Sequence, residues 1–188
     1  EREDPRIDFG LNNKRSLETD AEILKNIKIA LENYDVLVFN QQVVGSISNE
    51  SFIEKANELF KEFNDKIVVL DSRHYNGKFR NVYRKSNEIE TAVLNGMDAD
   101  PQDYISFADI KKHGKKVYEQ FNKPIFVTCG ARGSVIFDET GINEVSGIQI
   151  NNKIDTVGAG DTSLSAISFC LAAGISPKEA AEFANFAS

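Results

Sequence analysis

Hydrophobic and polar positions along this chain follow two patterns, short apolar runs and stripes at helical spacing. Apolar runs rich in β-branched residues predict three buried parallel strands, at 35–39, 66–71 and 124–128. Helices are predicted beside the first two runs, one entered by a capping-box pattern at 19–22 and one capped by Ser48 or Asn49. Strand–helix units repeated in this way are typical of a right-handed parallel α/β sheet.

The segment between the second and third runs is predicted to hold further elements. They are a short strand at 82–85, a helix from Ser86 or Asn87 through Leu94, and a helix from 100 to 121. Pro101 favours a helix start there, because proline is well placed at the first helical position. Gly114 is predicted to interrupt this helix.

The last third of the chain predicts a hairpin and two helices. Residues 134–137 and 144–145 are predicted to pair as antiparallel strands around a turn at 139–141. The helix that includes 164–173 is apolar on nearly all sides, so we expect it to be buried. A capping-box pattern at 176–179 begins the last helix.

Chemistry is concentrated in the stretch 155–162, which reads Asp-Thr-Val-Gly-Ala-Gly-Asp-Thr and leads into the apolar helix. Gly158, Ala159 and Gly160 leave backbone N–H groups unshielded where a helix begins. Unpaired amides and the helix dipole favour an anion there. Asp161 is adjacent and could take a proton from an attacking nucleophile. The same local pattern is equally compatible with an Asp that only caps the helix.

A dinucleotide-binding loop is a poorer interpretation of these glycines. Gly158 and Gly160 supply the first two glycines of that fingerprint, but Ser163 stands where the third is required. The polar segment 151–153 precedes the loop, where a buried strand would be expected. The spacing therefore disfavours a nicotinamide-dependent oxidoreductase.

The Asp-Thr-Val-Gly-Ala-Gly-Asp-Thr stretch resembles the C-terminal signature of the ribokinase-like (pfkB-type) carbohydrate kinases. The resemblance implies a three-layer α/β/α fold with a mainly parallel, Rossmann-like sheet, and a single domain over 1–188. It implies phosphoryl transfer from ATP, with Mg²⁺, to a hydroxyl of a sugar or sugar phosphate. Asp161 would be the general base, and the amides of residues 158–161 would form the anion hole. A homodimer is also compatible with it.

The same resemblance implies cofactor-binding residues. Asn87 and Glu90 match an Asn-x-x-Glu pattern that helps to organise magnesium and phosphates, with Glu90 acting through metal-bound water. This spacing is also that of a helix capping box, which is the alternative interpretation. Nucleotide contacts are implied for five positions: Thr128, Gly130, Arg132, Gly133 and Thr156. Asp155 is associated with a monovalent cation, which would be K⁺.

Within the family, the resemblance is closest to the kinase half of bifunctional ADP-heptose synthases. Arg73 follows the carboxyl end of a predicted strand, where open parallel sheets bind ligands, and we expect it to contact a phosphate. The alternative interpretation, for Arg73 and for Arg132, is a solvated surface charge. Asn40 begins the loop after the first strand and is a second candidate for substrate binding. In this loop Gln41 and Val44 depart from the branch's pattern and Gly45 agrees with it. These two departures argue against assigning the heptose-phosphate specificity of that branch to this chain.

Two parts of the family pattern have no counterpart in the sequence. They are the amino-terminal strands with the sugar site and lid, and the carboxyl-terminal segments that close the adenine pocket. We therefore expect the chain to be part of a longer kinase, and the fold to be incomplete. The competing hypothesis is a catalytically incomplete scaffold that dimerises or binds a sugar without turnover.

Composition narrows the function classes further. The 188 residues are 41% hydrophobic and 27% charged, which is ordinary for a globular domain with a sizeable core. A net charge of −7 without a basic stripe argues against nucleic acid as a partner. No membrane span or secretory signal is visible, so a cytoplasmic location is expected. Cys129 and Cys170 are expected to be buried free thiols, and no zinc site is expected.

Overall fold

The computed structural model describes residues 14–47, 49–148 and 157–188, and its centre is one six-stranded sheet. The strands lie side by side in chain order: β1 (Val36–Gln41), β2 (Ile67–Ser72), β3 (Tyr83–Asn87), β4 (Ile125–Thr128), β5 (Gly133–Asp138) and β6 (Gly141–Ser146). The first four are parallel, whereas β5 and β6 pair antiparallel with their neighbours. The predicted hairpin is confirmed, and β2 and β4 are buried as predicted. The first predicted strand also forms, but it is not fully buried: β1 lies at the end of the described strand order, and Val38 is 42% exposed.

Helices cover both faces of this sheet. Their bounds are α1 (Leu17–Asn33), α2 (Glu50–Glu62), α3 (Glu88–Leu94), α4 (Phe107–Phe121), α5 (Ala159–Ala172) and α6 (Pro177–Ala187). Strand side chains alternate between faces, so Val68 and Leu70 pack with α1 and α2 while Val69 packs with α5 and α6. In the same way Ile125 faces α3 and α4, and Phe126 faces α5 and α6. The predicted three-layer α/β/α arrangement is confirmed.

Two predicted helix starts are wrong. Helix α1 begins at Leu17, because the Ser16 side chain accepts the Thr19 N–H (3.1 Å) and so caps the helix three residues before the predicted box. Helix α4 begins at Phe107 rather than near residue 100, because Ser106 caps it through the amide of Asp109 (3.2 Å). Proline at a candidate first turn is therefore a weaker start signal here than a serine with its partner amide.

The sequence predicted a break at Gly114, but α4 continues through this residue, which lies buried within the helix. A Cβ at this position would stand 2.2 Å from a ring carbon of Phe137 on β5. The glycine thus lets an aromatic ring of the sheet pack directly on the helix backbone, which outweighs its poor helix propensity.

The prediction that α5 is buried on nearly all sides is only partly correct. Seven of its residues are buried, but Phe169 is 70% exposed on the outer side. Cys129 and Cys170 are buried and free, as expected. Within residues 14–47, 49–148 and 157–188, every helix falls short of the length and apolar character that a bilayer-spanning segment requires.

Candidate active site

The amino terminus of α5 differs from the other helix starts that the structure describes. Each of the other five has a serine or asparagine cap whose side chain accepts a backbone N–H of the first turn: Ser16, Asn49, Asn87, Ser106 and Ser176. Helix α5 is capped by Gly158, which has φ of 84° and no side chain to offer. Within the described residues, therefore, no capping side chain occupies the first-turn donors of α5.

The predicted anion hole lies in this first turn. The first backbone bond of the helix runs from the Thr162 N–H to the Gly158 carbonyl, at 2.9 Å. The amides of Ala159, Gly160 and Asp161 come before that bond, so no carbonyl of the helix itself accepts them. A positive φ favours glycine at 158, because a side chain there would be strained. Gly158 thus allows the left-handed turn before α5 and places no side chain over the first-turn amides.

Asp161, the predicted base, is the third residue of α5 and is exposed. It is not the cap, since that position belongs to Gly158. Its backbone carbonyl accepts the Ser165 hydroxyl at 2.9 Å, further along the helix. An exposed carboxylate beside open amides is suitably placed to receive a proton, and it is also favoured by the helix dipole.

A buried ion pair stands against this helix start. Lys85 Nζ lies 2.7 Å from Asp71 Oδ2, and both side chains are less than one-tenth exposed. The two residues are partners in the β2–β3 register, so adjacent parallel strands place them side by side. A Cβ at Gly160 would stand 3.1 Å from Lys85 Nζ, which shows how closely the ammonium approaches the first turn of α5. The site therefore contains a lysine beside the open amides.

Sequence reasoning missed Lys85 and did not single out Asp71. The signal available was weak, because both occur as charged residues at the carboxyl ends of predicted strands, where ligands bind in parallel sheets. Register between β2 and β3 decides whether they meet, and register cannot be counted from a single sequence. The structure adds them as members of the site.

Asn87 and Glu90 form a complete capping box at the start of α3. The Asn87 Oδ1 accepts the Glu90 N–H at 2.8 Å, and Glu90 Oε2 accepts the Asn87 N–H at 3.0 Å. Burial raises the pKa of Glu90 and the nearby Asp71 raises it further, whereas Lys85 and Arg73 act in the opposite direction. The capping alternative is thus realised in the structure. Glu90 also interacts electrostatically with the ion pair and with Arg73.

Asn40 was predicted to begin the loop after the first strand, but it lies within β1, because the ladder with β2 continues through residue 41. It joins the same group from there. Asn40 and Asp71 are partners in the β1–β2 register, and Gln42 Nε2 donates to both, at 2.7 Å to Asn40 Oδ1 and 3.2 Å to Asp71 Oδ1. Asp71 therefore receives Gln42 on one oxygen and Lys85 on the other. Four predicted positions, Asn40, Arg73, Glu90 and the α5 start, are brought together around this ion pair.

The turn between β4 and β5 holds the other predicted nucleotide residues. Gly130 and Gly133 have positive φ, and a Cβ at Gly133 would lie 2.0 Å from the Val145 carbonyl oxygen. Thr128 Oγ1 lies 3.4 Å from the Ser86 carbonyl oxygen. The two glycines therefore permit the tight entry into the hairpin, and a nucleotide contact at this turn stays a prediction.

Arg132 is engaged by neighbouring elements. Its guanidinium donates to the Ile105 carbonyl at 2.8 Å and to Glu88 Oε1 at 3.0 Å. It also lies over the rings of Tyr104 (4.9 Å) and Phe107 (5.2 Å). These contacts fasten the turn to the region around α3 and the start of α4. These contacts do not test whether Arg132 also contacts a nucleotide, and that role stays a prediction.

Predictions at Asp155 and Thr156 lie outside the described residues. Within the described ranges, no three His, Cys, Asp or Glu side chains are grouped closely enough to bind a metal ion together. Asp71 and Glu90 are nevertheless two carboxylates at the same edge of the sheet, and magnesium takes few direct protein ligands. They are the residues of this site that could hold it.

Comparisons with known proteins identify the family and the fold of this chain. The pfkB family carbohydrate kinase model matches residues 3–188. No curated protein sequence gives a significant match. The fold is similar to phosphofructokinase-2 from Escherichia coli in complex with potassium, with a TM-score of 0.72 and 17% identity over 92% of this chain and 55% of that one.

Two ribokinases have similar folds. Ribokinase from Arabidopsis thaliana complexed with ribose and ATP gives a TM-score of 0.67 at 21% identity, over 85% of this chain and 50% of that one. Ribokinase from Thermotoga maritima gives 0.64 at 22% identity, over 84% and 50%. The chain thus spans about half the length of these proteins. The predicted ribokinase-like fold is confirmed, and because the family match covers nearly all of its residues, the chain belongs to the pfkB family of carbohydrate kinases.

Proposed function

We propose that this chain supplies the phosphoryl-transfer centre of an ATP-dependent kinase that acts on a hydroxyl of a sugar or sugar phosphate. The observation that carries the proposal is the α5 start, where open amides, an exposed Asp161 and the buried Lys85–Asp71 pair lie together. Family membership makes a carbohydrate the expected acceptor. A closer affinity to ADP-heptose synthases stays a prediction.

Asp161 is the proposed general base. The acceptor hydroxyl oxygen forms a bond to the γ-phosphorus of ATP, the bond from that phosphorus to the β–γ bridging oxygen breaks, and ADP leaves. The hydroxyl proton passes to the Asp161 carboxylate. The amides of Ala159, Gly160 and Asp161 stabilise the charge on the transferring group, which is the main contribution a protein makes to this reaction.

Lys85 and Arg73 supply positive charge for the phosphates in this proposal. Lys85 is held beside the first turn of α5 and Arg73 lies at the carboxyl end of β2. Local cations of this kind are required because the chain as a whole carries a net charge of −7. Asn40, near the end of β1, and Gln42, which follows that strand, would face the acceptor hydroxyls.

Magnesium fits the carboxylates of the site. Burial and Asp71 both raise the pKa of Glu90, so the folded chain leaves a partly desolvated acid that a cation would stabilise in its charged form. The Glu90 cap uses only Oε2 for the Asn87 amide. Asp71 and Glu90 would hold Mg²⁺, directly or through water, and the ion would neutralise charge developing on the phosphates.

Relatives support the choice of cofactors. The Arabidopsis ribokinase was solved with ribose and ATP, and Escherichia coli phosphofructokinase-2 with fructose-6-phosphate and with potassium. By analogy we propose ATP as the phosphoryl donor for this chain. A potassium ion near Asp155 remains a proposal on the family resemblance alone.

The decisive test is Asp161→Asn, assayed as sugar-dependent ADP release over a panel of sugars and sugar phosphates. Release should fall by about 10²–10⁴-fold, the contribution of a general base, because the amide cannot accept the proton, while binding of Mg·ATP persists. Asp109→Asn is the matched control, since Asp109 is also the third residue of its helix, α4. Activity of Asp161→Asn within tenfold of the unsubstituted chain would overturn the assignment.

A catalytically incomplete scaffold is the second candidate. It is favoured by the fact that Lys85 and Glu90 already have partners within the chain, in Asp71 and Asn87. Calorimetric titration with Mg·ATP separates the two functions. Absence of heat and of any thermal shift at millimolar nucleotide would favour the scaffold, whereas saturable binding favours the kinase.

A further inference from the structure

Gln41, the last residue of β1, joins two loops at the edge of the sheet that carries the site. Its side chain is 2% exposed, and both ends of the carboxamide are bonded. Oε1 accepts the Ser72 hydroxyl at 2.8 Å and the His74 N–H at 3.2 Å. Nε2 donates to the Val43 carbonyl at 2.7 Å and to Ser46 Oγ at 3.1 Å. A single buried amide thus links the loop after β1 to the loop after β2.

Arg73 lies at the centre of the segment that Gln41 holds. Its neighbours Ser72 and His74 both bond the Gln41 side chain, and its own N–H donates to the Gln41 carbonyl at 3.0 Å. Three consecutive residues are therefore anchored to one position of β1. The Arg73 side chain itself is exposed, and its charge acts on Glu90. The backbone around Arg73 is thus held by hydrogen bonds to Gln41, although the Arg73 side chain is exposed.

We propose that Gln41 is a positioning residue that holds Arg73 in place for the phosphates of the nucleotide. This inference rests on the proposed function. Gln41 does not touch the reacting atoms; it acts through the backbone of 72–74. Without its Oε1 acceptor, Ser72 Oγ and the His74 N–H lose a buried partner, and the arginine is no longer fixed in direction.

The rest of the second loop has other anchors, which provide a control. Asn57 on α2 donates to the Lys78 carbonyl at 3.0 Å and accepts the Arg80 N–H at 2.7 Å. Arg84 donates to the Phe79 carbonyl at 2.6 Å. Replacement of Gln41 should therefore loosen the part of the loop next to Arg73 and leave the far part in place.

A double-mutant cycle tests the proposal, with binding of Mg·AMP-PNP measured by calorimetry. Gln41→Leu and Arg73→Ala should each weaken binding about tenfold, the loss expected for one charge-assisted phosphate contact. Because Gln41 acts through Arg73, the double variant should bind no worse than either single variant. Ser72→Ala removes only one of the Gln41 bonds and replaces Gln41→Leu in the cycle if that variant does not fold.

Two further variants separate positioning from general loop stability. Gln41→Glu keeps an acceptor for Ser72 and His74, and its protonated form, which burial favours, can donate to the Val43 carbonyl as the amide does. It should therefore restore binding to within about threefold of the unsubstituted chain. Asn57→Ala should leave nucleotide binding unchanged. Additive losses in the cycle, or equal losses in Gln41→Glu and Gln41→Leu, overturn the positioning role alone. Absence of binding by the unsubstituted chain overturns the proposed function and the positioning role together.

Discussion

The starts of α3 and α5 both stand beside the Asp71–Lys85 pair, but they differ in what their first-turn amides bond. At α3, Asn87 and Glu90 exchange two hydrogen bonds, at 2.8 and 3.0 Å, so the cap is satisfied within the helix. At α5, Gly158 stands at the cap with φ of 84° and contributes no side chain. One start is closed by its own residues, whereas no side chain of the described residues caps the other.

The difference shows what an anion site requires of the sequence. A serine or asparagine at the cap stabilises a helix by occupying a first-turn amide, and the same bond removes that donor from any phosphate. Glycine gives up this stabilisation and keeps the donors available. Because Lys85 and Asp71 lie beside both starts, the residue at the cap, and not the surrounding charge, distinguishes the two.

The largest effect is expected from Asp71→Asn, which breaks the charge balance beside the open start. Lys85 would keep a buried ammonium without its carboxylate, and loss of one partner of a buried pair costs about 3–5 kcal/mol. The free energy of unfolding, measured with urea, should fall by that amount.

Glu182→Gln is the control for this change. It removes one partner of the Lys178–Glu182 pair, in which both side chains are about half exposed, so unfolding should change by about 0.5 kcal/mol or less. If Asp71→Asn destabilised the chain no more than Glu182→Gln, the Asp71–Lys85 pair would be solvated and the site would be wrongly described.

A smaller effect is expected from exchanging the two kinds of cap for alanine. Asn87→Ala should lower the free energy of unfolding by about 1 kcal/mol, because it removes the acceptor for the Glu90 amide. Gly158→Ala should cost about 1–2 kcal/mol for a different reason, since it forces a side chain into left-handed backbone. Urea denaturation of both variants checks this. A neutral Gly158→Ala would contradict the turn geometry on which the open amides depend.

Much of the fold could be predicted from the sequence because apolar runs and caps are local signals. The strands, the hairpin and the caps at Asn49, Asn87 and Ser176 follow from pattern alone. The wrong starts of α1 and α4 arose where two capping signals competed over a few residues. Gly114 was misjudged because its partner, Phe137, is distant in the sequence.

The candidate site was predicted where its residues are contiguous and missed where they meet through the sheet. Gly158 to Asp161 could be identified as a unit because one turn contains them. Lys85 and Asp71 meet only through strand register, and Gln41 reaches its partners across two loops. Arg132 was assigned to the nucleotide, but its contacts with Glu88 and Ile105 could not be foreseen from spacing.

The smallest effect concerns the pH dependence that Glu90 gives to the closed start. Burial and Asp71 raise the pKa of Glu90 in the folded chain above its ordinary value of 4.5. At a pH just above 4.5, Glu90 is therefore protonated more often in the folded chain than in the unfolded chain. The contribution of Glu90 to the free energy of unfolding is therefore fully present below pH 4.5. It is lost as the pH rises through the raised pKa of the folded chain. Glu90→Gln keeps an acceptor for the Asn87 amide and removes the titration.

The free energy of unfolding should consequently fall less steeply in Glu90→Gln than in the unsubstituted chain between about pH 4 and pH 7. Urea denaturation at several pH values measures the difference. Glu54→Gln, at an exposed position of α2, should leave the curve unchanged. Identical curves for Glu90→Gln and the unsubstituted chain would show that Glu90 is solvated. Such a carboxylate would gain little from magnesium, because water already stabilises its charge, and the contrast between the two helix starts would rest on their caps alone.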